Sequence, residues 1–138
     1  MITELGIVVA GRPAPQGSKR QGAHGQMREA SVYLPAWRAA VKRAAYEEMK
    51  RRGVRPGDRP VFRGAVAFSV TFWMPADHRV DGPPDLDKLV RGVWDALTQA
   101  RVWEDDSRVT EVLWLSKGIA ADGWTGANIL VRAAGAGE

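Results

Sequence analysis

The residues best suited to chemistry are acidic and lie in two short stretches of the second half of the chain. Asp85 and Asp87 sit within Pro83-Pro84-Asp85-Leu86-Asp87-Lys88-Leu89, and Glu104-Asp105-Asp106 follows Trp103. Two carboxylates two positions apart share a side only in extended chain; inside a helix they diverge by about 200°. Proline disfavours helix for the residue before it, and Asp is a natural residue at the boundary where a helix begins. Asp85 can thus stand just outside a helix while Asp87 lies in its first turn, letting both reach one cation. Oxygen ligands of this kind suit hard ions such as Mg2+ or Mn2+. A plainer reading stands beside this one. Asp85 can be a cap, Asp87 can complement the helix dipole, and residues 104–106 can be a solvated turn. Spacing alone leaves both readings open.

Composition narrows the chemistry further. A chain of 138 residues fits one domain with a core of its own. It has no cysteine and only two histidines, His24 and His78, which excludes thiolate metal sites and disulfides and speaks against a multi-histidine zinc site. No apolar run approaches the roughly 18 residues needed to span a bilayer, and the first residues lack the basic region of a signal peptide. A cytoplasmic protein is the expectation. The charge is uneven: residues 1–63 carry 13 Lys/Arg against 5 Asp/Glu, and residues 64–138 carry 7 against 11. A basic half can hold phosphates while an acidic cluster in the other half holds a cation, although uneven charge also occurs in proteins without a nucleic-acid partner.

The elements that must position these residues follow from pattern. Residues 2–10 are apolar and β-branched and predict a strand, broken by Gly11-Arg12-Pro13-Ala14-Pro15-Gln16-Gly17. A loop carrying Lys19, Arg20 and Arg28 leads to a helix over residues 35–52, with Trp37, Ala40, Val41 and Ala44 at helical spacing. Val66, Phe68, Val70, Phe72 and Met74 alternate with period two and place a strand within residues 61–74. A second helix runs from about residue 85 to 100, with Leu86, Val90, Val93 and Leu97 as its core stripe and Asp87, Arg91 and Asp95 following one another on another. Strands over residues 108–117 and 124–132, joined by a turn at 118–123, predict an antiparallel hairpin. The order β-α-β-α-β-β describes one α+β domain over residues 1–134, two helices packed on a mixed sheet, with 135–138 as a flexible tail. The acidic stretch at 104–106 falls where the chain returns from the second helix to the third strand, and a carboxylate from it could close a cation site. Trp37, Trp94 and Trp114 are expected in the core or at a dimer interface, and Trp103 in the core beside the acidic loop.

At these residues the chain resembles the RusA family of Holliday junction resolvases, over nearly its whole length. Gly11-Arg12-Pro13-Ala14-Pro15-Gln16-Gly17-Ser18-Lys19 is similar to the family's G-x-P-x-P-[KQ]-G-[SR]-[KR] segment, and Pro84-Asp85-Leu86-Asp87-Lys88-Leu89 to its D-x-D-N-L. Asp95-Ala96-Leu97 and Trp103-Glu104-Asp105-Asp106-Ser107-Arg108-Val109 follow in the family's order. The resemblance implies a Mg2+-dependent endodeoxyribonuclease, with Mn2+ as a substitute. Such an enzyme works as a homodimer that makes paired nicks in four-way DNA junctions during recombination and repair. It implies Asp85, Asp87 and Asp106 as metal ligands, Asp105 and Asp95 as neighbouring acids, and Arg91 as the catalytic cation. The chain departs from the family twice: Arg91 stands where lysine is usual, and Lys88 where asparagine is usual. Arginine keeps the charge and can clamp a phosphate, but it does not readily release a proton. Arg12, Lys19, Arg20, Arg28 and Lys88 are the expected DNA contacts. The competing readings are a branched-DNA-binding protein with weak or no nuclease activity, and a structural dimer whose caps and turns happen to be acidic.

Overall fold

Alternation of apolar side chains decides the sheet. In the computed structural model, which describes residues 2–17, 32–55, 57 and 59–135, four strands pair in the order β1-β4-β2-β3. Their ranges are β1 (Glu4–Ala10), β2 (Val66–Trp73), β3 (Val109–Gly118) and β4 (Gly126–Ala133). Helix α1 (Leu34–Arg51) follows β1, helix α2 (Leu86–Gln99) follows β2, and a short 3-10 turn, η1 (Asp106–Arg108), precedes β3. Leu5, Ile7 and Val9 of β1 pair with Val131, Ile129 and Ala127 of β4, which pair in turn with Phe68, Val70 and Phe72 of β2. All nine are buried on one face. Period two puts every second residue of each strand there, and the helices pack on it.

Helix α1 carries proline in its first turn and buries Trp37, Val41, Ala45 and Met49. It stops in a Schellman motif: Gly53 takes φ 81°, its N–H donates to the Lys50 carbonyl, and the Val54 N–H donates to the Met49 carbonyl. Helix α2 buries Leu89, Val90, Val93, Ala96 and Leu97, with Leu86 half-buried at its start. The α+β class, the element order and the mixed sheet agree with the sequence.

The expected hairpin does not form. Strands β3 and β4 are not neighbours; β2 lies between them, parallel to β3 and antiparallel to β4. Burial gives the reason. β2 is apolar along most of its length and gains most from a central place, whereas β3 is largely exposed and stands at the edge. The connection at 119–125 therefore passes the end of β2, where Trp73 pairs with both Gly118 and Gly126. Crossing one strand spans only about 10 Å, well within reach of seven residues. Where β4 then begins beside β1 only glycine fits: Gly126 takes φ 153°, and a Cβ there would lie 2.0 Å from the Val9 carbonyl oxygen. Of the loop cations expected to touch DNA, Lys19, Arg20 and Arg28 lie outside the described residues, as do residues 136–138 of the expected tail.

Candidate active site

Asp85 occupies the N-cap of α2 in extended conformation (φ −69°, ψ 145°), directly after the cis Pro83–Pro84 bond. Its backbone carbonyl accepts from the Leu89 N–H at 3.1 Å, as a cap residue's does. Its carboxylate does not cap the helix: it accepts no bond from the first-turn amides, and the side chain is 66% exposed. Among the described residues the cation within ion-pair distance is Lys88, with Nζ 4.0 Å from Oδ2. Asp87 lies in the first turn, also well exposed, with the Arg91 guanidinium 3.6 Å from its Oδ2. Two carboxylates thus stand at the helix start, each facing one cation of its own helix, half-buried Lys88 and exposed Arg91. Such surface pairs contribute about 0.2–1 kcal/mol, so breaking them costs little.

The turn before Asp85 is held from the sheet. Lys117, near the end of β3, donates from Nζ to the carbonyl oxygens of Gly82 (2.5 Å) and Pro84 (2.6 Å). Sequence reasoning missed this residue. The available signal was the alternation Leu115, Lys117, which puts a lysine on the helix-facing side of a strand; Lys117 pairs in register with the buried Phe72.

The proline-rich loop is joined to the same helix. The Gln16 N–H donates to the Lys88 carbonyl at 3.0 Å, and Gln16 Nε2 donates to Asp95 Oδ2 at 2.6 Å. Ala14 is buried between them, against Gly92, where a Cβ would already be in contact with the Ala14 carbonyl at 3.5 Å. Asp95 therefore serves the loop, two helical turns from Asp87. Arg12, exposed on the same loop, lays its guanidinium 4.2 Å from the centroid of the Tyr33 ring at the entrance to α1. On α1 itself, Arg51 is paired with Glu48, whose carboxyl that hydrogen bond holds below its ordinary pKa, and Arg52 donates to the Glu4 carbonyl.

The second acidic stretch lies elsewhere. Helix α2 ends in a Schellman motif with Arg101 in left-handed conformation (φ 64°), and the Val102 N–H donates to the Leu97 carbonyl. Trp103 is fully buried, packs edge-on against Phe68, and donates from its indole N–H to Thr98 Oγ1 at 2.7 Å. This tethers residues 104–108 to the C-terminal end of α2. Asp105 caps η1, accepting from the Ser107 N–H at 2.9 Å; that bond holds its carboxyl below the ordinary range. Arg108 pairs with Glu104. Asp106, next in the chain, is exposed and makes no such bond.

Asp106 is consequently at the wrong end of its own chain to join Asp85 and Asp87. A helix of 14 residues separates the two ends by about 20 Å, and the eight residue steps from Val109 to Lys117 by about 26 Å. Among the described residues no group of three or more His, Cys, Asp or Glu is placed to hold a metal ion. The structure brings Asp85, Asp87, Lys88 and Arg91 together and leaves Asp106 apart.

Among the described residues no helix is long and apolar enough to cross a membrane. A search of curated proteins found no match to this chain. The family model for Endodeoxyribonuclease RusA matches residues 10–123, a span that runs from the proline-rich loop through the Asp85 turn to η1 and β3. The loop, the helix start and the acidic turn are thus parts of one family pattern, and the chain belongs to the RusA endodeoxyribonucleases, the Holliday junction resolvase family of DNA recombination and repair.

Proposed function

We propose that the protein is a divalent-metal-dependent Holliday junction endonuclease, using Mg2+ or Mn2+, and that its metal sites are completed only in a homodimer. Asp85 and Asp87 of one copy and Asp106 of the other would hold the ion. The observation that carries this reading is the division of the three aspartates between the two ends of β3. That strand is an edge, with Val112, Leu113 and Trp114 exposed in its middle. Among the described residues nothing pairs with its outer side, and an edge of this length is a ready template for a second strand. A two-fold axis through its exposed middle would pair two copies antiparallel, with Val109 of one beside Gly118 of the other. Each η1 would then approach the Asp85 turn of its partner. Trp114, whose indole donates to Ser116 and which is 61% exposed, would be covered by the same contact.

The donor set fits the ion. It is all oxygen, exposed, and not engaged in capping the helix. When bound, a carboxylate-held Mg2+ supplies an activated water and neutralises charge on the phosphate. The rest of the work falls to the chain's own groups. Arg91 leaves Asp87 to grip a non-bridging phosphate oxygen with its planar fork, stabilising the charge that develops there. Its role is electrostatic, since a guanidinium holds its proton. Lys88 swings from Asp85 to the backbone of the DNA. Arg12 contacts phosphate from a loop that Gln16 keeps beside the helix.

The test is complementation between two inactive variants on a synthetic mobile four-way junction. Asp87→Asn and Asp106→Asn are each expected to abolish nicking. Mixed, they should restore it, because half of the dimers then contain one intact composite site, giving roughly a quarter of the wild-type sites. Failure of the mixture to nick, with mixed dimers shown to form, overturns the shared site. Tight junction binding by the wild type without nicks in either metal would favour the binding-protein reading instead.

A further inference from the structure

We infer that Lys117 is a positioning residue for the metal-binding turn: it fixes the peptide from which Asp85 projects. The inference rests on the metal-site reading above and adds to it a residue outside the acidic set. Backbone accounting around the turn shows why it is needed. Pro83 and Pro84 have no N–H, so the turn can supply few hydrogen bonds to itself. The Gly82 N–H bonds to the Arg79 carbonyl. The carbonyls of Gly82 and Pro84, on either side of Pro83, both accept from Lys117 Nζ.

This lysine is not acting as half of an ion pair. Among the described residues no carboxylate lies within ion-pair distance of it, and its ammonium is committed to two neutral oxygens. It ties the end of β3 to the chain just ahead of α2. The Pro84 carbonyl belongs to the same peptide plane as the Asp85 N–H, so holding that oxygen sets the plane and with it the direction of the Asp85 side chain. On its other side the Asp85 carbonyl is held by the Leu89 N–H, but its side chain has no firm partner. Its carboxylate makes no capping bond, and Lys88 stands only at the limit of ion-pair distance. Asp87 differs, because the helix itself orients it. Lys117 therefore acts on one ligand and not the other.

The sign of the effect separates positioning from simple electrostatics. Removing a cation near two carboxylates should tighten divalent binding if charge were its only role. Loss of a positioning contact should weaken it, and contacts of this kind are worth about ten- to a hundredfold in metal affinity. The experiment compares Lys117→Met, Lys117→Arg and Asp85→Asn, alone and combined. Mn2+ binding to the DNA-free protein is measured by calorimetry, and junction nicking is followed as a function of Mg2+. Lys117→Met is expected to weaken Mn2+ about tenfold and to raise the half-saturating Mg2+ in step. The nicking rate at saturating metal and the junction affinity should stay within about threefold of the parent. Lys117→Arg, which keeps donors on a longer arm, should recover part of the loss. In the Asp85→Asn background, Lys117→Met should add nothing, because its effect passes through Asp85.

Unchanged or tighter Mn2+ binding in Lys117→Met overturns the inference. So does a rate lost at every metal concentration with Mn2+ affinity intact, which would place Lys117 in the chemistry itself. If Asp85→Asn leaves Mn2+ binding intact, the metal-site reading fails and this inference with it. Loss in Asp85→Asn without loss in Lys117→Met sinks this inference alone. Should Lys117→Met not fold, Lys117→Arg carries the same comparison through a graded loss.

Discussion

Asp85 and Asp105 occupy the same kind of position, an aspartate in extended conformation at the N-cap of a helical turn, and they use their carboxylates in opposite ways. Asp105 accepts from the Ser107 N–H and closes the start of η1. Asp85 makes no such bond at the start of α2, although α2 is the longer helix and has more amides to satisfy. The difference is one of support. η1 is a three-residue turn on the surface with nothing buried, so its cap is a large part of what holds it. α2 is held by a buried apolar stripe and by the loop bonded to it through Gln16, and does not depend on its cap. A helix secured by packing can leave an N-terminal carboxylate free for another partner. Asp105 thus supports Asp106, while Asp85 is itself available.

Substitutions can break or sharpen that contrast. The largest effect is expected from the free carboxylates: Asp85→Asn and Asp87→Asn should each lower metal-dependent nicking by more than about a hundredfold, beyond the usual loss from an outer partner of a metal site. Asp105→Asn, by contrast, should retain nicking within about tenfold, since it loosens η1 without removing a ligand. Equal losses for Asp85 and Asp105 would erase the distinction. Next in size is the edge strand that connects the two ends. Trp114→Asp should weaken self-association by roughly ten- to a hundredfold, the equivalent of failing to bury one large apolar side chain, read by sedimentation. Nicking should fall in parallel at dilute protein and recover at high concentration.

A smaller effect probes the cation beside Asp85. Lys88→Asn removes a positive charge 4.0 Å from its carboxylate. The half-saturating Mg2+ for nicking should fall by about fivefold, corresponding to roughly 1 kcal/mol for a charge at this distance in a water-like dielectric. A rise would mean that Lys88 supports the site rather than opposing the ion. The smallest effect concerns the cap of η1 and acid. The folded pKa of Asp105 is lowered, first by its hydrogen bonds to Ser107. Its contribution to local order is therefore fully present above the ordinary carboxylate value, about 3.9, and is lost as pH falls through the lower folded value. Chemical shifts of Ser107 and Arg108 amides should stay constant from neutral pH to about 4 and move only below it. Movement nearer neutrality would show that the cap is not what orders this turn.

Much of this molecule is legible in its residue order, because period and punctuation are local. Phe68, Val70 and Phe72 announce a strand, Leu86 through Leu97 a helix, and Pro84-Asp85 the point where that helix starts. The four short motifs, taken together, carry the family as well. The pairing of strands is not local, and there the sequence misleads. The turn at 118–123 has the look of a hairpin, yet the gain from burying β2 on both sides outweighs the convenience of pairing neighbours in the chain. The relation of the acidic groups was hidden for the same reason. Sequence order places Asp106 just after the helix that begins at Asp85, and the length of that helix puts the two ends about 20 Å apart. Residue types determined which groups can bind a cation and that the chain would form this α+β domain. The tertiary structure decided which of those groups stand near one another, because distance across a fold is set by packing rather than by position in the chain.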